Sequence, residues 1–518
     1  MNHWIIAPIV LPAVVAPFII MVIRYHRDLQ RVFSVASVVA LNLVALVLLS
    51  QAMDGTIGVY ELGDWPAPFG IVLVLDRLSA LMVLLTTLLA LAVVLYAIGS
   101  GWDTRGRHFH ALFQFQLMGV LGAFLTGDAF NLFVFFEVLL IASYGLMIHG
   151  GGATRLRAGV QYVVYNLLGS TLFLFALGTL YSVTGTLNMA DLAVRVAELP
   201  AEDTALLRVG AVLLLLVFAI KAAVLPLHFW LPASYANAPM PVAAFFAIMT
   251  KVGAYAILRL YTLVFGPEVA VTAGLVGDWL LPAALLTLAV GSIGILGARE
   301  LGRLVAFSAI ASMGTLLIAI SLFTPQAATA AVYYVIHSTF ATALMFLVAD
   351  LVIERRGGRL APTPPMPQGG VVAALFFAGA IALAGMPPLS GFIGKLLVMD
   401  ASRASAQVWT VWAVILTTSL ITIVGMARAG SILFWKSHDH SLRPPDLPED
   451  EDDGAPEAPD HAPEPVPGLA FVPVFALLAA LVALTVLAGP VMRYTEATAA
   501  QLFAPAGYIE TVLQRPGS

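Results

Sequence analysis

The stretch Ala211-Val-Leu-Leu-Leu-Leu-Val-Phe-Ala-Ile-Lys221-Ala-Ala-Val-Leu-Pro226-Leu-His228-Phe-Trp230-Leu-Pro232 decides the fold class. Its first ten residues are apolar and belong to a run over 206–225. That run meets the length of about 20 residues that a helix needs to cross a bilayer. A lysine then stands at membrane depth, and two prolines follow it. Proline removes a backbone donor and disrupts the turn before it. The stretch therefore predicts a membrane helix that breaks beside a buried cation.

The rest of the chain has the same character. Of its 518 residues, 60% are hydrophobic and 11% charged, against about 25% charged in ordinary soluble domains. A soluble core cannot hide that much apolar surface, because a folded domain still needs a polar skin. A soluble enzyme, a nucleic-acid binder and a disordered chain are all excluded. Solid apolar runs, rather than alternation, exclude a membrane β-barrel. The net charge of −5 says little, since the charges sit in loops. With no cysteine, the chain has no disulfide, no Cys-ligated zinc and no iron–sulfur cluster of its own. The expected fold is an all-α polytopic membrane protein.

Fourteen spans are expected, at 4–23, 32–52, 78–99, 109–126, 129–149, 158–183, 206–225, 241–265, 273–297, 303–322, 327–353, 371–397, 407–435 and 468–491. The first is not a cleaved signal peptide, because its Arg24, Arg27 and Arg31 follow the apolar stretch instead of preceding it. Lysine and arginine collect on cytoplasmic loops. With Arg24 inside, one set of loops carries fourteen such residues, at 24, 27, 31, 105, 107, 155, 157, 299, 303, 355, 356, 359, 436 and 443. The other set carries five, Arg195, Arg208, Arg403, Arg493 and Arg515. Both termini are expected outside. A Pro-rich segment, about Ser437 to Pro467, holds the acidic run Glu449 to Asp453. It reads as a solvated linker first, and as a docking strip for a neighbouring subunit second.

Ionisable groups in apolar spans are costly and are functional by default. Three of the four lysines, Lys221, Lys251 and Lys395, lie inside spans, while the loops use arginine. A lysine can lose and regain a proton where an arginine stays charged. Glu137, in Phe133-Val-Phe-Phe-Glu137-Val-Leu-Leu, is the matching acid, with Lys221 as its expected partner; the plainer alternative is a pair that only locks two helices. The break after Lys221 recurs in Gly385-Met-Pro387-Pro388-Leu-Ser390-Gly391-Phe-Ile-Gly394-Lys395. Two interrupted helices with a lysine each are the mark of a transporter built from two related halves; each alone is also a packing kink. Lys251 lies about ten residues into its span, about 15 Å deep by helical rise. His337, mid-span, is placed to relay protons between lysines, or is simply a hydrogen-bonded core histidine. His228 in the broken segment, with Tyr162, Tyr165, Asn166, Ser308 and Ser312, are auxiliary candidates for holding water between these charges.

These residues resemble the antiporter-like subunits shared by the complex I membrane arm and the Mrp-type multisubunit cation/proton antiporters. The resemblance covers nearly the whole chain. It rests on Glu137 in its Phe/Val-rich helix, Lys221 with Leu-Pro-Leu-His-Phe-Trp-Leu-Pro downstream, Lys251, and Gly-Met-Pro-Pro-Leu-Ser-Gly-Phe before Lys395. Gly127-Asp128-Ala-Phe-Asn131 leading into Glu137 is most similar to the D-type subunits of the Mrp group. The resemblance implies about 14 helices with two inverted five-helix repeats around a hydrated axis. The implied organisation is 1–107 for the first three helices, 108–266 and 267–436 for the repeats, 437–467 for the acidic cytoplasmic loop, and 468–518 for the last helix and tail. It implies a proton path through Glu137, Lys221, Lys251, His337 and Lys395, driving exchange of Na+ outward against protons inward without cofactor or metal. Implied partners are the large A subunit, a second antiporter-like neighbour and the small subunits B, C, E, F and G, in a bacterial inner membrane. The alternative is a proton-pumping subunit of a complex I-like oxidoreductase or membrane-bound hydrogenase. One departure stands out: Ala341 occupies a position, four residues after His337, where related subunits often carry lysine, so His337 or Lys395 must supply that step.

Overall fold

The computed structural model describes residues 2–199, 204–267, 269–436 and 464–514. The acidic run Glu449 to Asp453, Arg443 and Arg515 lie outside the described residues. The first helices are α1 (Ala7–Met21), α2 (Arg27–Ala52), α3 (Arg77–Gly99), α4 (Phe109–Leu125), α5 (Ala129–Met147) and α6 (Ala153–Thr184). A short amphipathic helix, α7 (Met189–Glu198), precedes α8 (Ala205–Lys221), α9 (Trp230–Asn237) and α10 (Met240–Leu263). Then come α11 (Leu275–Gly297), α12 (Leu301–Ser321), α13 (Pro325–Arg356), α14 (Gly369–Ala384), α15 (Ser390–Ala401) and α16 (Val408–Gly430). The chain closes with α17 (Gly468–Val486), α18 (Ala488–Leu502) and α19 (Ala506–Leu513). Strands β1 (Gly58–Glu61) and β2 (Val72–Leu75) pair antiparallel between α2 and α3, with Gly58 opposite Leu75.

Every expected span meets a helix. Among the described residues, ten helices are long and apolar enough to cross a membrane, and α1, α4 and α14 are shorter apolar ones. Three spans need correction. The run over 206–225 is helical only to Lys221, 371–397 is split between Ala384 and Ser390, and 468–491 is interrupted at Leu487 between α17 and α18. The prolines at 226, 387 and 388 sit in the first two gaps, where a missing N–H breaks no ladder.

Burial sorts the helices. All of α10, and α13 from Ala327 to Val352, are buried. A helix apolar on every side belongs in the centre of a bundle. On α2, α6 and α16 buried and exposed apolar residues alternate by turn, with Leu43, Val160, Phe175 and Leu420 facing outward. Caps set the helix starts: Asp128 accepts from the Asn131 amide at 2.7 Å, and Thr324 from Ala327 at 3.2 Å before the N-terminal proline of α13.

The two ends of the bundle differ. At one end Asn2 bonds Gln51, Gln501 bonds the Gly55 carbonyl and Gln514 bonds Glu61, so the first and last described segments meet around the β-hairpin. At the other, Arg31 grips Asp103 at 2.6 and 3.1 Å, Arg105 pairs with Glu354, and Arg105 and Arg155 both lie over the Trp102 ring. Burial pushes the Asp103 carboxyl up, but bonds from His110 and Arg31 outweigh it and hold the group below the usual carboxylate range.

Candidate functional site

Each half of the bundle presents a broken helix to the central α10 and α13. In the first half, Glu137 lies mid-way along α5 and is half-buried, with its carboxylate accepting from the Ser170 hydroxyl of α6. Lys221 is the last residue of α8 and is buried. Its ammonium donates to the backbone oxygen and to Oδ1 of Asn166, at 3.4 and 3.3 Å, and stands 5.8 Å from the Phe136 ring centre. The direct Glu137–Lys221 ion pair expected from the sequence is not formed. The helix α6 packs on both α5 and α8. Its Ser170 and Asn166, one turn apart, take the two charges first.

Gly253 lets α10 close on the end of α8. A Cβ there would stand 2.9 Å from the Ala222 nitrogen and 3.0 Å from the Phe218 oxygen. Lys251, two residues before, faces another way. Its ammonium is buried without a hydrogen-bond partner among the described residues. It borders a cavity of about 10 Å³ between α3, α10, α12 and α13, about the space one water centre requires.

The second half continues the row. His337 of α13 is buried and hydrogen-bonds through Nδ1 to the Ser390 hydroxyl at 2.9 Å, at the start of α15. Lys395 donates to the Ala384 carbonyl at 2.8 Å and to the Ser419 hydroxyl of α16 at 2.9 Å. Glu137, Lys221, Lys251, His337 and Lys395 thus stand on α5, α8, α10, α13 and α15, with Ser170 bonded to Glu137, Asn166 to Lys221, Ser390 to His337 and Ser419 to Lys395.

The auxiliary residues divide. Asn166 is in the row. Ser312 reaches it only through the Tyr334 hydroxyl at 3.5 Å, beside His337. Ser308 is spent on its own helix, donating to the Val305 carbonyl. Tyr162 bonds Ser143 at 2.9 Å and packs on Trp230. Tyr165 is exposed on α6, because it falls between the helix positions that face α5 and α8. His228 is buried between α8 and α9, with Nδ1 unpartnered among the described residues.

Two buried charges inside expected spans escape the sequence reading. Arg259, on α10 itself, forks onto Asp76 at 2.6 and 2.8 Å, so arginine here is not confined to loops. Asp350, near the end of α13, accepts from the Tyr96 hydroxyl at 2.8 Å and the Trp102 indole at 2.9 Å. Both residues fall inside spans in the sequence, and an ionisable residue in a span is the signal that marks them.

A multi-pass helical bundle with two interrupted helices and a buried row of basic groups defines the ion-translocating class of membrane protein. Residues 126–422 match the model of the family described as NADH:quinone oxidoreductase/Mrp antiporter, transmembrane. The chain belongs to this family. It is 40% identical to a Rhizobium meliloti protein named as the probable D subunit of a K(+)/H(+) antiporter, over 100% of this chain and 98% of that one. It is 37% identical to the D subunit of the Na(+)/H(+) antiporter of Alkalihalophilus pseudofirmus, over 99% and 100%. Among solved structures, a chain of the Mrp complex from Dietzia sp. DQ12-45-1b is similar with a TM-score of 0.86 at 30% identity, covering 99% of this chain and 100% of that one.

Proposed function

We propose that this chain is the D subunit of a multisubunit monovalent cation/proton antiporter and that it carries the proton path. The supporting observation is that Glu137, Lys221, Lys251, His337 and Lys395 lie on five separate helices, four of them buried and Glu137 half-buried. Protonation of Lys251, whose ammonium lacks a partner among the described residues, changes the field at Lys221 and at His337. That change loosens or tightens the hold of Lys221 on Glu137 through α6 and so biases ion occupancy at a neighbouring subunit. The membrane potential supplies about 2.3 kcal/mol per charge per 100 mV. The breaks after α8 and after α14 occupy equivalent places in two inverted five-helix repeats, 108–266 and 267–436. The partners are the A, B, C, E, F and G subunits, in a bacterial inner membrane, with the hairpin end and both termini outside.

The test is mild purification through a tag on this chain, followed by mass spectrometry, iron and flavin assay, and reconstitution. Small hydrophobic partners without iron or flavin, and proton flux driven by Na+ or K+, are expected; the two relatives are named for different cations, so both are assayed. Iron–sulfur and flavin subunits in the particle would instead assign the same path to a redox-driven pump.

A further inference from the structure

We propose that the Asp76–Arg259 pair is a fixed-charge seal that closes the hairpin end of the bundle to protons and small cations beside Lys251. The inference rests on the proton-path reading of Lys251 and adds a barrier to it. Lys251 and Arg259 are eight residues apart on α10, about 12 Å by helical rise. The small cavity at Lys251 extends along Ala254, Tyr255 and Leu258 of α10 and Leu78 and Met82 of α3, toward that arginine. Tyr255 donates to the Phe124 carbonyl at 2.8 Å and accepts from the Arg259 Nε at 3.4 Å. The guanidinium therefore turns its Nε edge to the tyrosine that lines the cavity and its fork to Asp76.

Nothing in the pair is free to swing. Asp76 caps α3, accepting from the Ser79 amide at 2.9 Å, while its own amide donates to the Ser79 hydroxyl at 2.8 Å. The C-terminal helices roof it. The Tyr508 ring lies 5.5 Å from the guanidinium, the Tyr494 hydroxyl donates to the Arg77 carbonyl at 2.8 Å, and Gln501 accepts from the Arg77 amide at 3.1 Å. Structural need alone does not call for charge here, because a buried ion pair is often replaced by apolar groups at no loss of stability. A guanidinium repels an approaching cation and cannot lose its proton to relay one. Arginine serves as such a barrier in selective pores. Protons on Lys251 are thereby directed along the row to His337 and Lys395.

The test uses the whole complex in proteoliposomes. With no transported cation present, an imposed pH gradient should collapse about tenfold faster with the double substitution Asp76→Asn/Arg259→Gln, which removes both charges and keeps polar side chains at both positions. Arg259→Lys, which keeps a cation but one able to release its proton, should leak at a rate between wild type and the double variant. An assembled double variant with wild-type leak overturns the seal. The chain has no cysteine, so Ala254→Cys adds an independent measurement that needs no change to the pair. A membrane-impermeant maleimide presented to the hairpin end should leave it unlabelled; labelling at the rate of a surface cysteine overturns the proposal, even if the double variant fails to assemble. Cation-driven exchange by the wild type, run in the same vesicles, reports separately on the antiporter reading.

Discussion

At the first break α8 stops at Lys221, and the carbonyl of Ile220 is taken by the Trp230 indole at 3.0 Å. At the second, α14 stops at Ala384, and the carbonyl of that residue is taken at 2.8 Å by Lys395 itself. A helix end leaves carbonyls without partners, and a buried one must be satisfied. At the first break Lys221 takes no part in that satisfaction and makes two long bonds to Asn166, at 3.3 and 3.4 Å. Lys395 is held by two short ones, at 2.8 and 2.9 Å. The difference separates two uses of a buried lysine. Lys221 is free to respond to the charge on Glu137, whereas Lys395 is built into the backbone of its break.

The sharpest test is a pair of alanines. Lys221→Ala should reduce cation/proton exchange to background while the complex assembles with an unchanged melting temperature; Glu137→Ala should do the same. Lys395→Ala should lower both exchange and melting temperature, because bonds to a charged group contribute about 1.5–3 kcal/mol each. Normal transport by the Lys221 variant removes the comparison altogether. Next come the glycines. A Cβ at Gly391 would stand 2.0 Å from the Ala382 oxygen and 2.9 Å from His337, whereas at Gly169 the nearest Lys221 atoms are 3.6 and 3.7 Å away. Gly391→Ala should therefore destabilise the complex and cut exchange severely, and Gly169→Ala should leave thermal melts and flux near wild type. Equal effects would show that the two breaks are equally tight.

Trp230→Phe is a smaller perturbation that asks whether the indole holds the first break in shape. It removes the indole bond and leaves the Ile220 carbonyl its bond from the Ala223 amide at 3.1 Å, at a cost of about 1 kcal/mol. Exchange should fall severalfold with little loss of assembly, and an unchanged rate would mean that the indole does not position the break beside Lys221. The least effect is expected from Ser419→Ala, which leaves Lys395 its carbonyl bond. A shift of a few degrees in melting temperature with exchange reduced by less than half would fit. Complete loss of flux would make the hydroxyl part of the path.

Much of this is legible along the chain. The fourteen apolar runs all meet helices, and Glu137, Lys221, Lys251, His337 and Lys395 stand out because a charge in an apolar span is costly wherever it points. Partners are what the sequence does not report. Spacing alone leads one to expect that Glu137 and Lys221 touch, yet Ser170 and Asn166 of α6 take their place, since no spacing in the sequence tells how deeply a third helix wedges between two others. Tyr165 looks equivalent to Tyr162 and Asn166 in the chain, and its exposure follows only from which face of α6 meets α5 and α8.

Sequence by itself therefore determined the solvent, the helices, the breaks and the identity of the charges, since each follows from the transfer cost of a residue and its near neighbours. Tertiary structure alone decided which charges are paired. Arg259 and Asp76 are 183 residues apart and meet with a bidentate fork, while Lys251, on the same helix as Arg259, has no hydrogen-bond partner among the described residues. Both are basic residues on one buried helix, and only the distances to α3 and α13 pair one and leave the other without a partner among the described residues. Electrostatic energy in a low-dielectric interior depends on separations of a few ångström, and those are set by how helices pack, not by their order in the chain.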